Sequence, residues 1–285
     1  MKAVCEALGV SRSNISASLR AAPGKPLKRV GRPAKPDDDL VREIEEIIGG
    51  QPTYGYRRVW ALLKRGAIRS GREPVNAKRV YRAMKTHGLL LRRHAGGVGQ
   101  RRHDGRIAVE RSNLRWCSDG FELACDNGEK VRVAFALDCC DREAMAYVAT
   151  TQGIKSEDVR DLMVASVESR FGRVNRSPQT IEWLSDNGSG YIARETRAFA
   201  REIGLEPLTT PVTSPQSNGM AEAFVRTIKR DYARVNPLPD ARTVIESLPF
   251  WFEHYNAVHP HSALRYRSPR EFIAAQSSWE AVSGI

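Results

Sequence analysis

The sequence predicts an α/β protein in which a mixed sheet flanked by helices follows a small all-α region. In the second half of the chain, short runs of β-branched and apolar residues alternate with amphipathic segments of helix length. The first third contains amphipathic helix patterns alone, and it also carries most of the positive charge. A chain of 285 residues can bury a substantial core, as one large domain or two small ones.

The charge of the chain is divided unevenly along its length. Residues 1–111 contain 25 Lys and Arg against 10 Asp and Glu, whereas residues 112–285 contain 20 against 23. The net charges of +15 and −3 add up to the +12 of the whole chain. A basic part joined to a near-neutral part predicts nucleic acid as the partner, bound largely through its phosphates. A solvated basic surface is the alternative.

The cysteines and the hydropathy pattern exclude other classes of protein. Five cysteines without a C-x-x-C pair argue against a disulfide framework and against a zinc knuckle, and they are typical of a reducing cytoplasm. The sequence contains no run of eighteen apolar residues and no signal-peptide pattern. We therefore expect a cytoplasmic protein.

The N-terminal residues predict a partial helix-turn-helix at 1–20. Gly9 is expected to end a first helix and Ser11 to cap a second one. The first helix begins almost at Met1, so an opening helix is expected to be missing. The Pro-rich and basic residues 21–37 predict a linker.

Residues 38–92 predict a helical DNA-binding domain, and residues 93–111 a second basic linker. Three amphipathic helices, the last capped by Asn76 and closed by Gly88, present cations on their outward faces. The candidate DNA-binding residues here are Arg57, Arg58, Lys78, Arg79 and Arg82. A solvated helical bundle is the alternative.

The α/β part is predicted at residues 112–235, followed by a C-terminal helical extension at 236–285. Strands are predicted at 114–119, 131–138, 145–150, 180–186 and 205–209. Helices are predicted at 156–171, 193–203 and 218–232. Residues between the last strand and the last helix are expected to form a loop.

Three carboxylates in this part form a candidate metal site. Asp119 and Asp186 are each predicted to end a strand, and Glu222 lies one turn into the last helix. Two adjacent carboxylates repel each other unless a cation or a proton offsets them, and Mg²⁺ prefers such oxygen ligands. Arg226 and Lys229 follow Glu222 on the same helix face, where they can reach DNA phosphates. Taken singly, each carboxylate is more often a turn former or a solvated residue.

The segments WCSDG, LSDNGSGY and SPQSNGMAEAFVRTIKRDY resemble the Asp-Asp-Glu core of retroviral integrases and bacterial transposases. More narrowly, PTYGYRRVWALLKR, NAKRVYRAMK, FALDCCDREAM and EHYNAVHPHSALRYRSPREF resemble the second-frame (OrfB) product of insertion-sequence transposases. The resemblance covers nearly all of residues 2–275. It implies a ribonuclease-H-like fold and a role in DNA transposition and integration.

The resemblance also implies the roles of individual residues. Asp119, Asp186 and Glu222 match the catalytic and metal-binding triad, and Lys229 matches a basic residue that contacts the end of the element. Two Mg²⁺ ions, replaceable by Mn²⁺, are implied as cofactors. The implied partners are double-stranded DNA with terminal inverted repeats, target DNA, further copies of the chain on that DNA, and the upstream-frame product as a frameshift fusion.

Three histidines near the C-terminus, His254, His259 and His261, match a structural signature of the family more closely than a zinc site. Two other functions remain open from the sequence. One is a DNA-binding regulator of the element without catalysis, and the other is a ribonuclease-H-like nuclease that cleaves without strand transfer.

Overall fold

The computed structural model describes residues 2–20, 36–92, 108–209 and 219–283 of the chain. The chain forms two compact units, residues 1–37 and residues 38–285, each of which is described by itself. Most of both predicted linkers and the loop before residue 219 lie outside the described residues. In the described parts, no helix combines the length and the apolar character needed to cross a membrane.

The first unit contains the two helices predicted for it, α1 (Lys2–Ala7) and α2 (Arg12–Arg20). Gly9 adopts a left-handed φ of 62°, which ends α1 as its sequence predicts. The Ser11 hydroxyl accepts a hydrogen bond from the Asn14 amide at 3.3 Å, so Ser11 caps α2.

The second unit begins with three helices around a small apolar core. They are α3 (Asp38–Gly50), α4 (Tyr56–Arg69) and α5 (Ala77–Thr86). Ile44, Val59, Val80 and Met84 are fully buried where the three helices meet, as the helical periodicity predicts. Asn76 caps α5 by accepting the Lys78 amide at 2.8 Å.

A five-stranded mixed sheet forms the centre of the second unit. Its strands are β1 (Arg115–Ala124), β2 (Lys130–Asp138), β3 (Ala144–Thr150), β4 (Ile181–Ser185) and β5 (Leu205–Thr209). Their order across the sheet is β3-β2-β1-β4-β5. The pairs β1–β2 and β2–β3 are antiparallel, whereas β1–β4 and β4–β5 are parallel. This is the mixed sheet that the sequence predicts.

Helices cover both faces of the sheet. They are α6 (Ser156–Phe171), α7 (Ser189–Ile192), α8 (Arg194–Glu202), α9 (Gly219–Asp231), α10 (Ala241–Ala257) and α11 (Pro269–Ser283). One face packs under α6 and α8 in a core around Trp116 and Trp183. The other packs under α9 and α10 in a core around Phe135 and Phe224. Thus α10, in the predicted C-terminal extension, shares the core of the sheet.

The first strand is longer than predicted. Asp119 does not end β1, because antiparallel pairing with β2 continues from Asp119–Phe135 to Ala124–Lys130. The sequence signal that suggested an end was Gly120, yet Gly120 takes an ordinary strand position opposite Ala134. What ends near Asp119 is the parallel pairing of β1 with β4, whose last pair is Cys117–Leu184.

Candidate active site

Asp119 within β1 and Asp186 just after β4 line the same pocket, because both lie shortly beyond the parallel pairing of these strands. Cys117 on β1 pairs with Leu184 on β4, and each aspartate comes two residues later. Equal offsets from a parallel pair keep two residues adjacent across the strands. Asp119 also shares the face of Cys117, which packs under α9 and α10, because side chains alternate along a strand.

Glu222 is positioned by the packing of α9 on the sheet. Phe224 of this helix packs against Phe135 with ring centroids 4.4 Å apart, and Phe135 is the β2 partner of Asp119. Phe224 is buried, whereas Glu222 is exposed two positions earlier on the helix. The packing of Phe224 therefore holds α9 close to Asp119. The Glu222 side chain is exposed to solvent on the same helix.

The pKa of Asp119 responds to the charges of the other two carboxylates. Burial raises the pKa of Asp119 to about 6, the hydrogen bond from the Gly120 amide opposes this, and the charges of Asp186 and Glu222 raise it further. The Gly120 amide lies 2.7 Å from Asp119 Oδ1. The two neighbouring carboxylate charges thus add to the effect of burial on Asp119, and a cation would offset the negative charge of such a site.

The Asn-Gly-Ser-Gly segment after β4 holds Asp186 in place. The Gly188 amide donates to Asp186 Oδ1 at 3.0 Å, and α7 begins one residue later. A Cβ at Gly188 would lie 3.0 Å from the same oxygen, so this position has no room for a side chain. Tyr191 of α7 shares a 2.8 Å hydrogen bond with Ser118, the residue before Asp119. The turn that follows Asp186 is thus also joined to β1.

The donor set suits a hard divalent cation. Three carboxylates supply only oxygen atoms, and the charges of Asp186 and Glu222 both act on Asp119. Within the described ranges, no three His, Cys, Asp or Glu side chains are close enough to enclose a metal by themselves. Water and phosphate oxygens commonly complete the shell of Mg²⁺, so an open arrangement of carboxylates fits that ion.

The two cations predicted beside Glu222 share its helix. Arg226 is exposed and Lys229 is half-buried. Lys229 lies within electrostatic reach of Glu122 on β1. Lys229 is therefore on the part of α9 that accompanies β1, whereas Arg226 lies against a neighbouring cavity.

The predicted cations of the helical domain fall into two groups. Arg57, Lys78 and Arg82 are exposed and Arg79 is half-buried, as expected for residues that meet DNA from outside. Arg58 differs, because its Nη1 lies 2.9 Å from Asp231 Oδ2 and its side chain is largely covered. The outward orientation predicted for Arg58 is wrong, because its guanidinium pairs with the buried Asp231 carboxylate.

Arg65 of α4 is also paired inside the protein. Its Nε lies 2.8 Å from Glu271 of α11, and its other nitrogens donate to the carbonyls of Val258 and Tyr266. The helical pattern correctly identified the apolar face of α4. It could not show that this helix packs against the C-terminal segment, whose carboxylate and carbonyl groups accept hydrogen bonds from Arg65.

The three histidines lie around the end of α10. His254 Nδ1 is 2.9 Å from the Tyr232 hydroxyl, and His259 Nδ1 is 2.8 Å from the Tyr54 hydroxyl. His261 packs against His259 with ring centroids 4.8 Å apart. Burial lowers the pKa of His259 well below its usual range and that of His261 to about 3, with nearby arginine charges contributing. Both rings are therefore neutral at pH 7.

Two further carboxylates, Asp138 and Asp141, are fully buried at the turn between β2 and β3. Arg170 of α6 lies 3.0 Å from Asp141 and 3.5 Å from Asp138. Asp138 also accepts the indole N–H of Trp116 at 3.1 Å. These carboxylates stabilise the β2–β3 turn, so they differ in role from Asp119.

The sheet order, the two neighbouring aspartates and the glutamate on α9 are typical of an integrase-type catalytic core of ribonuclease-H-like fold. Family models agree with this class. Integrase core domains match residues 109–215 and 203–269, and an HTH-like domain matches residues 35–96. The match at 35–96 places the helix-turn-helix character on α3 to α5, whereas the sequence pattern had suggested it at residues 1–20.

The chain belongs to the family of bacterial insertion-element transposases with an integrase core, and it is a DNA transposase. It is 55% identical over 272 residues to the transposase InsD for insertion element IS2A/D/F/H/I/K of Escherichia coli. That alignment covers 95% of this chain and 89% of the relative. The InsD transposase for insertion element IS2D of Escherichia coli strain K12 matches to the same extent.

Solved structures of low sequence identity were also found. A chain of the simian T-cell lymphotropic virus intasome is 15% identical, with a TM-score of 0.47 over 73% of this chain and 69% of its own. The catalytic core domain of BIV integrase is 17% identical, with a TM-score of 0.41 over 58% of this chain and 97% of its own.

Proposed function

We propose that Asp119, Asp186 and Glu222 are the catalytic residues and that they act together on DNA phosphodiesters. The observation that carries this proposal is that Asp119 and Asp186 line one pocket, each two residues beyond the Cys117–Leu184 pair. With Glu222 held at the same level, the site gathers three carboxylates, and each of the other two raises the pKa of Asp119.

The three carboxylates would hold divalent cations, with two Mg²⁺ ions as the proposed complement and Mn²⁺ as a substitute. Such ions lower the pKa of an attacking hydroxyl and stabilise the leaving oxygen of an in-line displacement. The protein residues supply the rigid oxygen ligands, since Asp119 is fixed by the Gly120 amide and Asp186 by the Gly188 amide. No nucleophilic side chain is needed.

The reaction has two steps that share this site. In the first, water attacks the phosphodiester at the element's end, the P–O3′ bond breaks, and a free 3′-hydroxyl is released. In the second, that hydroxyl attacks another phosphodiester, whose own 3′-oxygen leaves. Both steps exchange one phosphodiester oxygen for another, so a single set of carboxylates serves both. The first joining is proposed to link the two ends of one element as a circular intermediate, which later integrates.

The proposed partners are the terminal inverted repeats and target DNA, bound by several copies of the chain in the nucleoid. Lys229 and Arg226 are proposed to hold the DNA end beside Glu222. Arg57, Lys78, Arg79 and Arg82 are proposed to contact the DNA through the HTH-like domain. Arg58 is left out of this set because it pairs with Asp231.

A strand-transfer assay on labelled element ends tests the proposal. The chain is assayed alone and fused to the upstream-frame product, with Mg²⁺ and with Mn²⁺. Joined products that form in the presence of either ion and require Glu222 support the proposal. Activity in the fusion alone would support the proposed role of the upstream frame.

The two alternative functions give different products in the same assay. A nuclease would release cleaved ends without joining them, in both forms of the chain. A regulator would bind the ends without cutting them. Either pattern, reproduced with both metal ions, would overturn the proposal.

A further inference from the structure

A basic cavity lies beside α9, apart from the three carboxylates. Its volume is about 290 Å³. It is lined by residues of α4, β2 and the turn after it, α9, α10 and the segment after α10. Its cationic lining residues are Arg58, Arg142, Arg226 and Arg230.

The charge around this cavity is unbalanced. Asp231 accepts from Arg58 at 2.9 Å and from Arg230 at 2.6 Å, so one carboxylate serves two guanidinium groups. Arg142 and Arg226 add two further positive charges, and no acidic side chain is among the residues that line the cavity. A partly enclosed space with excess positive charge attracts anions.

Two buried nitrogen atoms at the cavity have no hydrogen-bond partner within the protein. They are Nε of Arg142 and Nε2 of His261. Buried polar groups are normally satisfied, so each exception calls for an explanation. Because Arg142 donates through its guanidinium, its free N–H needs an acceptor, and a phosphate oxygen is a strong one.

The cavity and the three carboxylates are close enough together for one DNA strand to contact both. Ala223, Thr227 and Arg230 line it from one side of α9, next to the side that carries Glu222. Residues 222 and 230 are separated by about 12 Å along a helix axis. A strand whose phosphodiester lies at the carboxylates therefore has further phosphates within reach of the cavity.

We propose that this cavity binds one backbone phosphate of the DNA strand held at the active site, with Arg142 as its principal ligand and His261 at its wall. The inference rests on the proposed function, because it assumes that DNA runs along α9. It adds a contact from the β2–β3 turn, which lies on neither the HTH-like helices nor the active-site helix. That contact would fix the position of the strand relative to Glu222.

The test measures DNA binding without divalent ions, so that chemistry does not contribute. Arg142→Gln is compared with the wild type and with Arg201→Gln, a control at an exposed pair with Glu206 on the opposite face of the sheet. Loss of one phosphate contact should reduce the slope of log K against log salt by about 1. Arg142→Lys should restore most of the slope, since it keeps the charge.

Single methylphosphonate substitutions along the strand then locate the phosphate. In the wild type and in Arg201→Gln, one neutralised position should weaken binding. In Arg142→Gln the same position should have no further effect. Unchanged thermal unfolding of the variant excludes loss of the fold.

The inference would be overturned if Arg142→Gln left the salt dependence of DNA binding unchanged. It would also be overturned if every methylphosphonate weakened DNA binding by the same factor in Arg142→Gln as in the wild type. This failure is distinct from failure of the proposed chemistry. The latter would appear as strand transfer that survives Glu222→Gln, whatever Arg142 does.

Discussion

Arg58 of α4 donates to Asp231 at the end of α9, with Nη1 and Oδ2 2.9 Å apart. The carboxylate is completely buried and also accepts from Arg230. This pair joins the HTH-like domain to the helix that carries Glu222. The position of the first three helices of this unit is thereby tied to that of α9.

Asp231→Asn should destabilise the protein strongly. Removing one partner from a buried pair leaves uncompensated charge, which costs about 3–5 kcal/mol. Two arginines lose their counter-charge here, although each is partly exposed. Urea denaturation measures the change. Glu246→Gln, in an exposed pair with Arg242, is the control and should change stability by about 0.5 kcal/mol or less. Equal effects in the two variants would show that the Asp231 pair has no structural importance.

Tyr54→Phe should weaken the same contact region by a smaller amount. The variant removes the hydroxyl that lies 2.8 Å from Nδ1 of the buried His259. A buried polar atom left without a partner costs about 1–3 kcal/mol. Tyr81→Phe, at an exposed ring on α5, is the matched control. Denaturation midpoints that shift equally for both variants would contradict this role of Tyr54.

Gly188→Ala should reduce activity without unfolding the protein. The added Cβ would lie 3.0 Å from Asp186 Oδ1 and 3.4 Å from the Tyr191 ring, so the catalytic carboxylate has to move. Displacements of about 1 Å in an active site can cost about 10²-fold in rate. Strand-transfer rates measure the loss. Gly153→Ala meets nothing within 4 Å and serves as the control. Full activity of Gly188→Ala would contradict the positioning assigned to this turn.

The free energy of unfolding should depend on pH through the protonation of Asp119. Its pKa is raised from 3.8 to about 6 by burial and by the neighbouring carboxylates. Between these values the folded protein binds more protons than the unfolded chain, so this group lowers stability as the pH rises through that window. Asp119→Asn should remove that decrease, whereas the control Asp126→Asn, at an exposed turn, should keep it.

Stabilisation of the protein by Mg²⁺ provides a second measure of the protonation of Asp119. The ion should raise the melting temperature more at about pH 8 than at about pH 5, because protonated Asp119 is a poor ligand. A Mg²⁺ effect that is independent of pH, or that persists in full in Asp119→Asn, would contradict the assignment.

The sequence was sufficient to predict the sheet and most element boundaries. Strand β5 and helix α6 occur at the predicted residues, because apolar runs and periodicity decide them locally. The end of β1 was misplaced at Asp119, since its antiparallel partner β2 extends the strand to Ala124. Local signals cannot reveal how far a distant strand will pair.

The orientation of Arg58 could not be predicted for a related reason. A helical pattern separates apolar from polar positions, but it does not distinguish an arginine in solvent from one that meets a buried carboxylate. The partner, Asp231, is 173 positions away in the sequence. The basic cavity likewise depends on Arg142 and His261, which only the folded chain brings together.

The central claim is that three carboxylates form one catalytic site. The most direct measurement is strand transfer by Asp119→Asn, Asp186→Asn and Glu222→Gln on labelled element ends, with DNA binding measured in parallel. The account predicts that each variant loses both cleavage and joining, while end binding and the activity of the control Glu246→Gln stay close to those of the wild type. Joining by Glu222→Gln at the wild-type rate, or loss of binding in step with loss of chemistry, would contradict it.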